Sequence, residues 1–123
     1  MGKATDPDKL PKIYSVNWFR KDDDGQFIWP GYGENIRVLE WIFDRTDGKA
    51  GAHETAIGYL PSIKDLNTSG LNVSNEDVEL LLDVNRDAWV NEAKSIEAHF
   101  AGYGDKMPQV LYDELNALEE RLK

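Results

Sequence analysis

Apolar residues recur at helical spacing over three stretches of the chain, and this pattern predicts most of its secondary structure. The first stretch runs over residues 35–45 and carries Val38, Leu39, Trp41 and Ile42. Two later stripes share the spacing i, i+4, i+7, i+11, as expected for two helices that pack on one core. They are Trp89, Ala93, Ile96 and Phe100, and then Leu111, Leu115, Leu118 and Leu122.

Polar residues at the starts of these stretches predict where helices begin. Ser74 followed by Asp77 resembles a capping box and opens a short helix that ends at Leu82. Asn85 is a suitable N-cap for the next helix. Pro108 is placed in the first turn of the last helix, where its missing N–H is tolerated. About four helices are therefore expected.

The first third of the chain is β-branched and aromatic, which predicts short strands. Residues 13–19 alternate in part, residues 21–25 form an Asp-Gly turn, and residues 26–29 return as a second strand that Pro30 ends. Residues 56–60 are predicted as one more short strand. The expected fold is α+β, with short antiparallel strands at the N-terminal end followed by the helices.

Composition narrows the classes of protein to consider. The chain has 123 residues, enough for one domain, and a formal net charge of −9. Such acidity argues against nucleic acid as a partner, because phosphates require a basic surface. There is no apolar run of 18 residues, so no membrane partner is expected. Cysteine is absent, which excludes disulfides and fits a cytoplasmic location.

Charge and aromatic residues are unevenly distributed, and this directs attention to the N-terminal part. Residues 1–50 hold 8 basic and 9 acidic side chains, whereas residues 51–123 hold 6 and 14. Of the 13 aromatic residues, 8 lie between residues 14 and 43. A ligand site is therefore expected in the first part of the chain.

Familiar catalytic motifs are missing. No GxxxxGK[ST] loop is present, and the Gly31-x-Gly33 pair alone is a weak signal. The Asp22–Gly25 run does not match a calcium loop and is predicted to be a solvated hairpin tip. His53 and His99 lie far apart with no metal-ligand spacing, so no metal site is expected. The residues alone show no catalytic constellation.

The aromatic segment allows two interpretations. Phe19, Phe27 and Tyr32 can converge at one end of the predicted hairpin, with Asn35 following at the helix start. Flat rings facing across a gap bind a planar heterocycle by stacking, and an amide can bind its edge. Alternatively, the aromatic residues belong to the core and Asn35 is only a helix N-cap. The residues by themselves leave both open.

Residues 17–39 read NWFRKDDDGQFIWPGYGENIRVL, and this run resembles the C-terminal region of GTP-dependent phosphoenolpyruvate carboxykinase. The similarity extends through IGYLP at residues 57–61 to LEERL at residues 118–122 and covers nearly all of the chain beyond residue 10. The resemblance implies that residues 1–10 form a leader outside the ordered domain and that residues 11–123 form a single segment. Within that segment, residues 13–35 would form a guanine-pocket hairpin and residues 36–123 a helical remainder.

The resemblance also implies roles for four residues in binding a guanine nucleotide. Phe19 and Tyr32 would sandwich the base, Phe27 would line its edge, and Asn35 would hydrogen-bond the purine. Tyr32 departs from the family, which usually has Phe there. Its ring stacks as well, but its hydroxyl needs a partner or water. Ala56 is a second departure, standing where the family commonly has Pro.

The implied parent enzyme, a decarboxylating lyase of gluconeogenesis, converts oxaloacetate and GTP to phosphoenolpyruvate, carbon dioxide and GDP with manganese and magnesium. The family's phosphate loop, metal ligands and catalytic residues lie upstream. The chain is therefore expected to be inactive alone, to have the rest of the carboxykinase as its partner and to self-associate. The alternative hypothesis is a free-standing acidic interaction domain that uses an aromatic surface.

Overall fold

The computed structural model describes residues 6–123 and shows an α+β fold, as predicted. The helices are α1 (Asn35–Thr46), α2 (Asn75–Leu82), α3 (Arg86–Ala101) and α4 (Gln109–Leu122). Two short strands, β1 (His53–Thr55) and β2 (Gly58–Leu60), pair antiparallel with His53 opposite Leu60. Short 3-10 turns precede α1 and α4 and follow β2.

The described chain packs as two compact units, each of which is discontinuous in sequence. The first contains the chain up to residue 52 together with residues 61–81, and the second contains residues 53–60 and 82–123. The segment boundaries that the resemblance implies, with residues 13–35 and 36–123 as two parts of one segment, stay predictions. Helix α1 packs with the aromatic segment before it.

The core of the first unit is built on two tryptophans. Trp29 and Trp41 are both buried, with Ile28, Pro61 and Val78 as the other buried apolar residues of this unit. The indole N–H of Trp41 donates to the backbone oxygen of Gly51 at 3.1 Å. Tyr14 meets the Trp41 ring edge to face at 6.0 Å. These contacts hold the N-terminal segment against α1.

The second unit is a pair of helices with the small sheet beside one end. Arg86, at the start of α3, donates two hydrogen bonds to the backbone oxygen of Leu122, at the end of α4. The helices therefore run antiparallel. Ala93 and Leu115 are buried between them, as the two apolar stripes predict. Arg121 donates to the backbone oxygen of Ala56 at 2.9 Å and ties α4 to the turn between β1 and β2.

Two of the three helix starts predicted in the second half of the chain are confirmed. The Asn85 side chain accepts from the backbone N–H of Ala88 at 2.9 Å. The Ser74 hydroxyl accepts from the backbone N–H of Asp77 at 3.0 Å, and the Asp77 carboxylate accepts in return from Ser74. Pro108 differs slightly, since it occupies the N-cap of α4. These local signals are independent of tertiary packing.

The strands predicted at residues 13–19 and 26–29 are not formed. Residues 11–17 have no regular secondary structure, and the return segment contributes a single bridge between Lys21 and Phe27. The antiparallel reversal is correct but far shorter than expected. An isolated two-stranded hairpin is marginal, and the partial alternation of residues 13–19 offers no continuous apolar face to bury. The sheet forms instead at residues 53–60.

Residues 6–10 of the predicted leader contain one 3-10 turn, Pro7–Lys9, which the Asp6 side chain caps. Residues 1–5 of that leader lie outside the described residues. Among the helices of residues 6–123, none is long and apolar enough to cross a membrane.

Candidate functional site

A tight reversal over residues 20–28 positions the first two candidate residues. The backbone N–H of Asp22 donates to the oxygen of Gln26 at 2.9 Å, and that of Ile28 donates to the oxygen of Arg20 at 3.0 Å. Gly25 takes the positive φ of 78° that this tip requires. The predicted solvated tip is confirmed, and the reversal brings residues 19 and 27 side by side.

Phe19 and Phe27 form an exposed aromatic corner. Their ring centroids are 6.1 Å apart and their planes are inclined by 64°. The exposed fractions of the two side chains are 72% and 58%, so most of their surface faces solvent. The ammonium group of Lys21 lies 5.0 Å from the centre of the Phe27 ring. Such exposure contradicts the interpretation in which these rings belong to the core.

Tyr32 is placed on a short turn that leads into α1. Its side chain is 93% exposed, and among the described residues its ring contacts no other aromatic ring. Gly31, directly before it, has a φ of 118°. Because L side chains rarely adopt that conformation, glycine permits the path that carries Tyr32 into solvent. The structure does not bring Tyr32 into contact with Phe19.

Asn35 is not the N-cap of α1, so the second half of the alternative interpretation is wrong as well. The cap position is taken by Glu34, which makes no side-chain capping bond, and Asn35 is the first residue of the helix. The side chain of Asn35 instead accepts a hydrogen bond from the indole N–H of Trp29 at 2.8 Å. Asn35 is therefore held by a side chain across the Pro30–Gly31 bend.

Trp29 is a part of this site that sequence reasoning missed. Its ring is 8% exposed and packs against Trp18, with ring centroids 6.2 Å apart. A buried indole N–H normally finds a hydrogen-bond partner, and Asn35 stands six residues further along the same run. That requirement is the one signal in the sequence that could have linked the two residues.

The first unit also has a shallow cavity of about 190 Å³, formed by α1 and residues 64–67. It contains none of the four candidate residues. Arg37 on its wall donates to the Glu34 carboxylate at 2.6 Å and to the backbone oxygen of Asn67 at 2.7 Å. The bond to Asn67 fastens residues 64–67 to α1, so this cavity lies where two segments of the first unit meet.

Within residues 6–123, no group of three His, Asp or Glu side chains is arranged to hold a metal ion. His53 begins β1 and is exposed, and the exposed His99 on α3 faces Tyr103, with ring centroids 5.2 Å apart. The manganese and magnesium that the resemblance implies therefore find no fitting donor set among these residues.

Two exposed ion pairs mark helix ends. A hydrogen bond with Asp47 raises the pKa of Lys49, just after α1. In the same way, Glu120 raises the pKa of Lys123 at the end of α4. Both lysines remain protonated near neutral pH, so these pairs stabilise termini and supply no proton for chemistry.

The structure thus presents an exposed pair of phenylalanine rings at a tight reversal, and an asparagine amide fixed at the start of α1. The family model for the phosphoenolpyruvate carboxykinase C-terminal P-loop domain matches residues 1–121. The chain belongs to this family, as its sequence predicted.

Named relatives agree with that assignment. Phosphoenolpyruvate carboxykinase [GTP] of Treponema pallidum is 52% identical over 99% of this chain, and that of Chlamydia trachomatis is 51% identical over 98%. The protein of the same name from Neocallimastix frontalis is 52% identical over 96%. The chain spans about a fifth of the length of these relatives. None of these findings supports the alternative of a free-standing interaction domain.

Proposed function

We propose that this chain is the guanine-recognition part of a GTP-dependent phosphoenolpyruvate carboxykinase. The observation that carries the proposal is the exposed corner of Phe19 and Phe27 in a chain that also fixes the Asn35 amide through Trp29. Apolar rings that remain in solvent while neighbouring tryptophans are buried indicate a surface used for binding.

The angle between the two phenylalanines supports different roles for them. Rings inclined by 64° cannot both lie flat on one planar base. If the base stacks on Phe19, Phe27 meets its edge, and another ring must cover the opposite face. Tyr32 is the candidate for that ring, because it is exposed and follows a glycine that directs the chain outward. Stacking of this kind contributes about 1–3 kcal/mol per ring.

The amide of Asn35 supports the remaining role, which is to bind the purine edge. Stacking does not distinguish one purine from another, since every base has a π-face. Guanine carries a carbonyl acceptor at its six position, whereas adenine carries an amino donor. An amide offers both donors and an acceptor, so its orientation decides which base it favours.

The activity of the whole enzyme follows as part of the same proposal. The full-length carboxykinase that contains this chain would convert oxaloacetate and GTP to phosphoenolpyruvate, carbon dioxide and GDP. Residues 6–123 would hold the base, and the remainder of the carboxykinase would supply the phosphate contacts, the metal ions and the catalytic groups. The cytoplasmic location expected from the sequence stays a prediction.

Two substitutions in the full-length carboxykinase test this division of roles. Phe19→Ala removes a stacking surface, so we expect the KM for GTP and for ATP to rise by the same factor, about tenfold. Asn35→Ala removes an edge contact, so we expect the preference for GTP over ATP to fall by about tenfold, mainly through weaker use of GTP.

Phe43→Ala is the matched control, because Phe43 belongs to the same unit and is 68% exposed, close to Phe19. It should leave the KM for both nucleotides unchanged. A Phe19→Ala enzyme with the parental KM values, or an Asn35→Ala enzyme with the parental preference, would refute the proposed roles.

A further inference from the structure

We infer that Trp29 sets nucleotide specificity by fixing which end of the Asn35 amide is presented to the base. The inference rests on the proposed function, because it assigns a cause to the selectivity of that same site. Trp29 acts through Asn35 and is a positioning residue.

The first step of the argument is that the indole allows only one orientation of the amide. An indole N–H donates hydrogen bonds and cannot accept them. The Asn35 atom that faces Trp29 Nε1 at 2.8 Å must therefore be the oxygen. A rotated amide would direct its NH₂ group at the indole N–H and lose the bond.

The second step is that Trp29 is itself held in place. Its side chain is 8% exposed, and it packs against Trp18. Burial makes the loss of its hydrogen bond costly, since the indole N–H would then lie unpaired away from water. The orientation of Asn35 is thus imposed by the core of the first unit and exists before any nucleotide binds.

The third step concerns the NH₂ end of the Asn35 amide, which the indole does not contact. Over residues 6–123, the Asn35 NH₂ group donates to no protein acceptor, and no buried side-chain nitrogen or oxygen lacks a partner. The NH₂ group is therefore accessible. It can donate to the six-position carbonyl of guanine but opposes the six-position amino group of adenine. By fixing the amide oxygen of Asn35, Trp29 would leave only the NH₂ donor available to the base.

The test is Trp29→Phe in the full-length carboxykinase, with kcat/KM measured for GTP, inosine triphosphate and ATP. Inosine triphosphate keeps the six-position carbonyl of guanine but lacks its two-position amino group. Without the indole N–H, Asn35 can rotate and offer its oxygen to adenine. We expect kcat/KM for GTP and inosine triphosphate to fall together while ATP is unchanged or improved, so that the GTP-over-ATP ratio falls about tenfold.

Trp41→Phe is the matched control. Trp41 is 6% exposed, and its indole N–H also makes one hydrogen bond, but to the backbone oxygen of Gly51. The two substitutions remove the same atoms from similarly buried positions of one unit. Trp41→Phe should therefore lower the stability of the enzyme and leave the GTP-over-ATP ratio unchanged.

Because Trp29→Phe also opens space in the core, a second variant removes the hydrogen bond alone. In 3-benzothienylalanine, sulfur replaces the indole N–H and the shape of the ring is kept. Incorporated at position 29, it should fold like the parent and reproduce the loss of selectivity. The inference then stands even if Trp29→Phe does not fold.

The outcomes separate this inference from the proposed function. A parent enzyme that prefers GTP, with an unchanged ratio in the benzothienylalanine variant, overturns the role of Trp29 and leaves guanine recognition intact. An equal loss of selectivity in Trp41→Phe overturns it too, because general loosening would then be the cause. A parent enzyme with no preference for GTP overturns both.

Discussion

The aromatic residues between positions 19 and 41 serve two different purposes. Trp29 and Trp41 are buried and use their indole N–H groups inside the fold. Phe19 and Tyr32, from the same aromatic run, are 72% and 93% exposed. The hydropathy of these residues does not distinguish the buried ones from the exposed ones. Their positions relative to the reversal over residues 20–28 and to the Pro30–Gly31 bend do distinguish them.

Gly31 gives a prediction at this scale. No atom lies within 4 Å of a Cβ placed on Gly31, so Gly31→Ala meets no steric clash. The φ of 118° is nevertheless unfavourable for alanine. We expect Gly31→Ala to lower the free energy of unfolding by about 1–3 kcal/mol in urea titrations, or to shift Tyr32.

Gly33→Ala is the matched control. Gly33 has no positive φ, and its Cβ position is also open. Alanine there should be neutral or raise stability by about 0.4–1 kcal/mol through a less flexible unfolded chain. Equal destabilisation by both substitutions would contradict the role given to the backbone of Gly31.

Elements of this fold differ in how far local sequence determines them. Helices α2 and α3 begin at capping side chains that contact their own backbone, as Ser74 and Asn85 show. The two-stranded sheet has no comparable local signal, and β1 and β2 are only three residues each. Helices are thus robust to single surface changes except at their caps.

The start of α3 gives a prediction for this scale. Asn85→Ala removes the acceptor for the backbone N–H of Ala88. We expect a loss of about 1 kcal/mol in the free energy of unfolding, measured by chemical denaturation followed by circular dichroism. Asn91→Ala, at an exposed position within the same helix, should cause no loss, because alanine favours helix interiors. A larger loss from Asn91→Ala would be inconsistent with the capping role.

The features that the sequence predicts are those that depend on local signals, and the features that it misses depend on tertiary contacts. Four helices, the caps of α2 and α3 and most of the inward stripes of α3 and α4 followed from spacing and end signals, although Leu111 is exposed. The strand at residues 13–19 was wrong because strand formation depends on a distant partner that partial alternation does not reveal. The four site residues came from a family resemblance, and their roles stay predictions. The bond between Trp29 and Asn35 depends on side-chain placement around a bend, which no periodicity encodes.

The first unit carries a partly exposed apolar face on α1. Ile36, Leu39 and Phe43 recur at i, i+3 and i+7 on α1 and are 63%, 40% and 68% exposed. We expect the isolated chain to associate with a second copy through this face, and sedimentation velocity to show mass rising with concentration. Phe43→Lys should weaken that association, whereas Val110→Lys on α4 should not. A strict monomer at millimolar concentration would refute this expectation.

Catalysis is a second property of the whole molecule. Residues 6–123 contain no metal-ligand cluster, and the sequence has no phosphate-binding loop motif. We therefore expect the purified chain alone to show no conversion of phosphoenolpyruvate with GDP, bicarbonate and manganese, in an assay coupled to oxaloacetate reduction. Metal-dependent turnover by the isolated chain would contradict the proposed division of labour.

Nucleotide titration of the isolated chain, followed by amide and side-chain NMR, tests guanine recognition most directly. GMP and AMP serve as the pair of ligands, since they differ in the base alone. The account predicts saturable shifts at Phe19, Tyr32 and the Asn35 NH₂ group with GMP, at about millimolar affinity, and weaker binding of AMP. Equal shifts with both nucleotides, or shifts confined to residues outside this site, would contradict it.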